Sequence, residues 1–246
     1  MNLSLNFSNA LAGITLDLIP MLENNSNVEI VQVVEKEPAD EALLSAWENA
    51  KNVALPKDLK QFYRTMNGLV INWSAKQCGT IIPVGDLKIN EINCLSELSL
   101  SNSFKSTGSF QLEDVDEDED ECNSKSMKFQ NPRKVTFKDK CFEISSCEGK
   151  VCLVYKNVST CCRMCSAELS GIWFLDRSLR WHYLASTFQQ YLRMAIVHMG
   201  IKGWQYLFTD AQISPETKYW FSLFIPQRLQ VTNDDKKERI LIPDQQ

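Results

Sequence analysis

Four cysteines offer the most explicit chemistry in this chain. Cys147-x4-Cys152 and Cys162-x-x-Cys165, the second pair inside CCRMC at 161–165, could together present four thiolates to one zinc ion. The first pair straddles a strand entry, and the paired Cys-x-x-Cys knuckles of a closed zinc site are not both present, so reduced cysteines in a strand and a surface loop are the plainer reading. No βαβ pattern surrounds Cys162 and Cys165, which removes the support for a dithiol redox role. The chain has two histidines that could serve as a general base, His182 and His198, and neither is accompanied by G-x-S-x-G. His182 lies inside RWHYL, facing away from Trp181. His198 lies near the end of a long helical pattern, where a histidine charge would favour the helix dipole. Phosphate cradles of the G-x-x-x-x-G-K-[ST] and G-x-G-x-x-G types do not occur, and the nine glycines are scattered singly. The expectation is therefore no catalytic residue, no cofactor site and no resident metal.

Charge points to a segment and not to the whole surface. The formal charge of −5 includes eight carboxylates in EDVDEDEDE at 113–121, and without them 23 acids face 26 bases. Directly after it, 125–140 carries Lys125, Lys128, Arg133, Lys134, Lys138 and Lys140 against Asp139. Adjacent blocks of opposite sign read as a solvated, disordered insertion over 101–134 whose charges keep it extended. Eight carboxylates beside the basic block would repel phosphates, which argues against nucleic acid. Nine cysteines are an odd number, and MNLSLNFSNA lacks the basic start and apolar run of a secretory signal, so reduced thiols are expected. No apolar run approaches the roughly 20 residues that span a bilayer.

The elements that would position any site follow from periodicity. Leu11, Ile14, Leu18, Ile19 and Leu22 give an amphipathic helix with Ser8 or Asn9 as its cap, and VEIVQVV at 28–34 reads as a strand. Pro38 opens a second helix through Leu43, Leu44 and Trp47. In LPKDLKQFYRTMNGLVINWS (55–74), Pro56 suits a first helical turn, and Leu59, Phe62, Tyr63 and Met66 form one apolar stripe. Asn67-Gly68 would end that helix in the left-handed region and release a strand through Leu69, Ile71 and Trp73. TIIPVG and LKINEI read as short strands broken by Pro83 and Gly85. After the insertion come KVTF, CFEIS, KVCLVY, IWFLD and RWHYL, the last two joined by a tight turn at Asp176, Arg177 and Ser178. Ser186 and Gln189 form a capping-box pattern ahead of a helix that ends at Gly200, and Ser214-Pro215-Glu216 caps a last helix stopped by Pro226. Large rings concentrate late, in Trp204, Tyr206 and Phe208 and in Tyr219, Trp220 and Phe221. Most belong in a core, and those that do not fit a buried face are partner anchors, since Trp and Tyr dominate interface energies.

Trp47-Glu48, Leu55-Pro56, DLKQFY at 58–63 and Asn67-Gly68 resemble the signature of the SMI1/KNR4 superfamily, a module widely used to bind proteins. With IIPVGDLKIN (81–90), GKVCLVYK (149–156), IWFLDRSLRWHYL (172–184) and WQYLFTDAQISPETKYWFS (204–222), the chain more specifically resembles the subunit-2 family of tubulin polyglutamylase complexes, in order across residues 10–225. CCRMC and the acidic insertion depart from that pattern. The resemblance implies an α+β fold, SMI1/KNR4-like, mostly antiparallel sheet packed with N-terminal and C-terminal helices. It implies one domain over 8–225 interrupted at 101–134, with a polar tail over 226–246. It implies a non-catalytic scaffold that works with a tubulin-tyrosine-ligase-like, ATP-dependent catalytic subunit and other polyglutamylase subunits on tubulin or microtubules. The expected location is the cytoplasm and microtubule cytoskeleton, including the centrosome or ciliary base. On this reading the partner-binding candidates are Trp204, Tyr206, Phe208 and Trp220, with Lys134 and Lys138 as basic groups for acidic tubulin tails. Two alternatives stand beside it: a zinc-stabilised regulatory adaptor using Cys147, Cys152, Cys162 and Cys165, and an immunity-like inhibitor as in bacterial members of the superfamily.

Overall fold

The computed structural model describes residues 13–98, 135–136, 139–156 and 168–229. The insertion at 101–134, Lys138, Cys162, Cys165 and the tail beyond 229 lie outside the described residues, as do Leu11, Ser8 and Asn9 of the first expected helix. Helix α1 spans Leu18–Glu23 and leads into strand β1, Val28–Glu35. Helices α2 (Glu41–Lys51) and α3 (Lys57–Thr65) follow. Strands β2 (Leu69–Gln77) and β3 (Thr80–Ile89) then complete a three-stranded antiparallel sheet in the order β1-β2-β3. A second antiparallel sheet runs β4 (Lys140–Ser146), β5 (Lys150–Lys156), β6 (Glu168–Leu175) and β7 (Trp181–Ala185) in sequence order. Helix α4 (Phe188–Val197), a 3₁₀ turn (Trp204–Phe208) and helix α5 (Pro215–Phe224) complete the described fold. The α+β expectation, with antiparallel sheet between N-terminal and C-terminal helices, holds.

Helix ends show why these residues stop where they do. Asp40 accepts a hydrogen bond from Leu43 N at 2.6 Å and so caps α2, whose first residue, Glu41, lies three after the expected opening at Pro38. The capping box of α4 is shifted by one residue: Thr187 accepts from Gln190 N, and Gln190 Oε1 accepts from Ser186 N at 3.1 Å. Ser214 caps α5 through Thr217 N at 3.0 Å, with Pro215 in the first turn as its missing N–H allows. Helix α3 ends differently from the expectation. Met66 is extended (φ −153°), and Gly68 alone takes the positive φ, +104°, while Asn67 turns its side chain to other use.

The β-rich stretches also resolve differently in two places. TIIPVG and the LKI of LKINEI form one continuous strand that ends at Ile89, because Pro83 sits where β3 has a strand neighbour on one side and a bulge opposite Trp73 and Ser74 absorbs the irregularity; Ile92 already belongs to a 3₁₀ turn. Gly85 is required there for space: a Cβ would stand 1.8 Å from Trp73 Nε1, and that indole donates to Met199 O at 2.7 Å. The described part of KVTF, Val135 and Thr136, is not strand. The β2–β3 turn takes Cys78 and Gly79 through positive φ (49° and 81°), the hairpin geometry whose twist suits the flanking strands.

One apolar cluster runs from Leu18 to Phe221 and draws on both sheets. The sheets meet where Asn90 N donates to Ile144 O at 2.8 Å, Glu143 N to Ser96 O at 3.0 Å and Leu98 N to Cys141 O at 2.9 Å. Both faces of β4 and β5 are covered, so five consecutive residues of each are buried: an unbroken apolar run in β5, and in β4 a run that includes Glu143 and Ser145. Phe142, Ile144, Val151, Leu153 and Tyr155 enter the main core, and Cys141, Cys152 and Val154 join Trp173 in a second cluster.

Candidate functional site: a charged cleft beside a fixed framework

The signature residues hold the framework together from within. Trp47 packs edge-on against Phe142 with centroids 5.0 Å apart. Glu48 accepts from Leu55 N at 2.8 Å and pairs with Lys60 at 2.9 Å, so the turn between α2 and α3 is locked from both sides. Lys60 also reaches Glu41 at 3.1 Å; Glu48, then Glu41, hold its ammonium more firmly protonated than an isolated lysine. Asp58 Oδ2 accepts from Gln189 N at 2.8 Å and thereby supplies a partner for an orphan N–H at the start of α4. The buried Tyr63 hydroxyl donates to Asn90 O at 2.9 Å, and burial raises its pKa well above the ordinary phenol value. Asn67 Oδ1 accepts from Ile92 N at 3.0 Å, and Gly68 packs so closely on Ile89 O that a Cβ would stand 3.0 Å away. Every polar signature side chain named here therefore binds another part of its own chain.

The late aromatic residues divide. Trp204 and Trp220 are 2% and 4% exposed, which corrects their reading as surface anchors: both lie in the main core. The reason is crowding by neighbouring rings, for Trp204 lies nearly parallel to His198 (centroids 5.0 Å, 7°) and Trp220 sits between Tyr219 and Phe224. Phe208, Tyr219 and Leu223 do reach solvent, at 38%, 44% and 44%. His198 follows α4 as its C-cap and directs Nδ1 to Met194 O at 2.6 Å, so Nδ1 carries the donated proton. Burial lowers its pKa to about 4. It is neutral at pH 7, and the expected charge–dipole role gives way to stacking. His182 Nε2 lies 2.9 Å from Asp176 Oδ2, while Asp176 Oδ1 accepts from Arg180 N, so this pair closes the β6–β7 hairpin.

The thiols are similarly enclosed. Cys147 packs against the main core and Cys152 belongs to the second cluster, so the two described members of the zinc set occupy different packing environments. Lys134, Lys138, Cys162 and Cys165 lie outside the described residues. Burial pushes the pKa of Cys141 and of Cys147 up to about 12 and raises that of Cys152, leaving neutral thiols at pH 7.

A different site emerges at a cleft of about 310 Å³. The chain after α4 runs antiparallel to β3: Asp86 N donates to Gly200 O at 2.8 Å and Lys202 N to Val84 O at 3.0 Å, which puts Asp86 and Lys202 on one wall. Gly200 (φ +60°) permits this approach, since a Cβ would come 2.8 Å from Leu87 Cβ. Glu148, from the β4–β5 turn, and Arg177, from the β6–β7 turn, form another wall. The Tyr206 hydroxyl fastens those two turns by donating to Glu148 O at 3.1 Å and accepting from Arg177 N at 3.3 Å. Tyr206 is thus half-buried and positions other residues. Gly203 (φ +78°) leaves room for the Glu148 carboxylate, whose Oε2 would lie 3.1 Å from an added Cβ.

Asp86 and Glu148 are half-buried, and Arg177 and Lys202 are exposed. None of the four side chains makes an ion pair or hydrogen bond among the described residues. Gln205, which also lines the cleft, is 3% exposed and its Oε1 has no donor among the described residues. Periodicity could not have found this constellation. Its faint local signal is that Asp86, Glu148 and Lys202 each adjoin a glycine, where the chain turns or packs closely.

The SMI1 / KNR4 family (SUKH-1) profile matches residues 38–194. The tubulin polyglutamylase complex subunit 2 of Rattus norvegicus is 39% identical over 215 residues, covering 87% of this chain and 71% of that protein. The human protein of the same name is 39% identical over 217 residues, covering 87% and 69%. No solved structure matches the chain. Glu48, Asp58, Tyr63 and Asn67 of the matched region all have structural partners, and with this agreement between signature and fold the chain belongs to the SMI1/KNR4 (SUKH-1) family, among the tubulin polyglutamylase complex subunit 2 proteins.

Proposed function

We propose that this protein is a non-catalytic scaffold or targeting subunit of a tubulin polyglutamylase complex and supports glutamate-chain addition by a tubulin-tyrosine-ligase-like partner. The observation that carries this reading is the 39% identity over 87% of the chain to proteins named as subunit 2 of that complex. The chemistry of the described residues supports the non-catalytic part: His198 is neutral and stacked, His182 closes a hairpin, and three thiols are held protonated by burial. A rigid subunit of this kind raises the effective concentration of a tethered ligase near its substrate without taking part in bond formation.

Phe208, Tyr219 and Leu223 are the proposed contact groups for the catalytic subunit, being large apolar side chains exposed beside a rigid aromatic core. The basic block that includes Lys134 and Lys138 is the proposed weak, salt-sensitive attraction for acidic tubulin tails. Its station would be cytoplasmic microtubules, with the centrosome or ciliary base among them.

Purified protein, tubulin, ATP, magnesium and glutamate should yield no glutamylated tubulin. Affinity capture from cells should recover a ligase-like catalytic chain, and Phe208→Ala with Tyr219→Ala should weaken that capture while leaving the melting temperature within a few degrees. Robust ATP-dependent glutamylation by the isolated chain would overturn the proposal.

A further inference from the structure

We propose that the cleft between β3, the β4–β5 turn, the β6–β7 turn and the segment after α4 binds a small zwitterion of the α-amino-acid class. The cleft brings two carboxylates and two basic groups together from four separate parts of the chain, Asp86, Glu148, Arg177 and Lys202. The four line one cleft, and none of them makes an ion pair among the described residues, so their charge is left to meet a ligand.

The arrangement discriminates among ligand classes. A phosphate or nucleotide would meet Asp86 and Glu148, the more enclosed of the four groups, and be repelled. A divalent cation would gain those two carboxylates but face Arg177 and Lys202. A ligand with an ammonium and a carboxylate on one small frame can place the ammonium at the half-buried acids and the carboxylate toward the exposed bases. The volume of about 310 Å³ suits a molecule of that size. The walls are held in place independently of the ligand. Tyr206 ties the turns of Glu148 and Arg177 together, and the β3 backbone pairing fixes Asp86 beside Lys202. Such a prebuilt site lowers the ordering cost of binding.

The test is calorimetric titration of the full chain with glycine, L-alanine, L-serine, L-glutamate and L-lysine, alongside N-acetyl-L-alanine, L-alaninamide, inorganic phosphate and magnesium. At least one free amino acid should bind saturably. Blocking either its amino or its carboxylate group should weaken binding roughly tenfold or more, in keeping with the loss of a charge-assisted hydrogen bond. Asp86→Asn and Lys202→Ala should each cause a comparable loss with an unchanged melting temperature. Lys202 is exposed, so folding of its variant is not at issue. The inference fails if no free amino acid binds, if the blocked analogues bind as well as the free ones, or if both variants keep full affinity. Phosphate or magnesium binding without amino-acid binding would also overturn it. Because the isolated chain is the reagent, this result does not depend on the presence of any complex.

Discussion

Around the signature residues, Glu48, Asp58, Tyr63 and Asn67 each hold a hydrogen bond to a backbone group elsewhere in the chain; around the cleft, the side chains of Asp86, Glu148, Arg177 and Lys202 hold none among the described residues. Residues of similar chemistry thus serve opposite ends. In the first region, polar groups answer orphan N–H and C=O groups at helix ends and turns, and a family pattern that could be mistaken for a reactive centre is a set of braces. In the second, polar groups converge without satisfying one another. The contrast teaches that a recurring motif in this fold marks what holds the chain, whereas unsatisfied polarity marks what the chain can hold.

Substitutions can break that contrast, and the largest effect is expected where the framework has no slack. Gly85→Ala would put a methyl group 1.8 Å from Trp73 Nε1, displacing an indole that is 1% exposed and donates to Met199 O. Overpacking together with a broken buried hydrogen bond should cost at least about 3 kcal/mol, read as a collapse of the denaturation midpoint.

Acid should act at His198 with a similar magnitude. Its folded pKa of about 4 lies below the ordinary histidine value of 6.5, so the unfolded chain binds the proton more readily. The associated stability is fully present above pH 6.5 and is lost as pH falls toward 4, a change on the order of 3 kcal/mol. Chemical denaturation across that window should slope more steeply in the native protein than in His198→Gln.

A smaller loss sharpens the comparison at the signature itself. Tyr63→Phe removes the hydroxyl that satisfies Asn90 O and should cost about 1–2 kcal/mol, while amino-acid binding at the cleft stays unchanged. The smallest expected change belongs to the cleft: Arg177→Ala and Lys202→Ala should alter stability by less than about 0.5 kcal/mol, because both side chains are exposed and neither has a partner among the described residues. A large destabilisation from either would show that the cleft is also a brace.

Local physics made much of the framework readable. Pro56 and the Leu59, Phe62 and Tyr63 stripe define α3, Ser214-Pro215 starts α5, and the β6–β7 hairpin follows from its turn residues. Elsewhere a distant neighbour overrules a residue's local habit. Pro83 and Gly85 look like strand breakers, but a bulge and the Trp73 indole accommodate them within β3. Trp204 and Trp220 have the composition of interface anchors, yet His198, Tyr219 and Phe224 enclose them. His198 at a helix end suggests a positive charge at the dipole, but burial removes the charge.

The amino-acid order alone determined the helix stripes, caps, alternating strands and family signature, because each depends on contacts within a few residues or on a fixed period along the chain. Only the tertiary structure decided that Asp86, Glu148, Arg177 and Lys202 share one cleft, since backbone pairing after α4 and a single Tyr206 hydroxyl draw together groups more than a hundred positions apart. Periodicity carries no information about such meetings. They follow from how the two sheets and their turns pack, and from which polar groups that packing leaves without a partner.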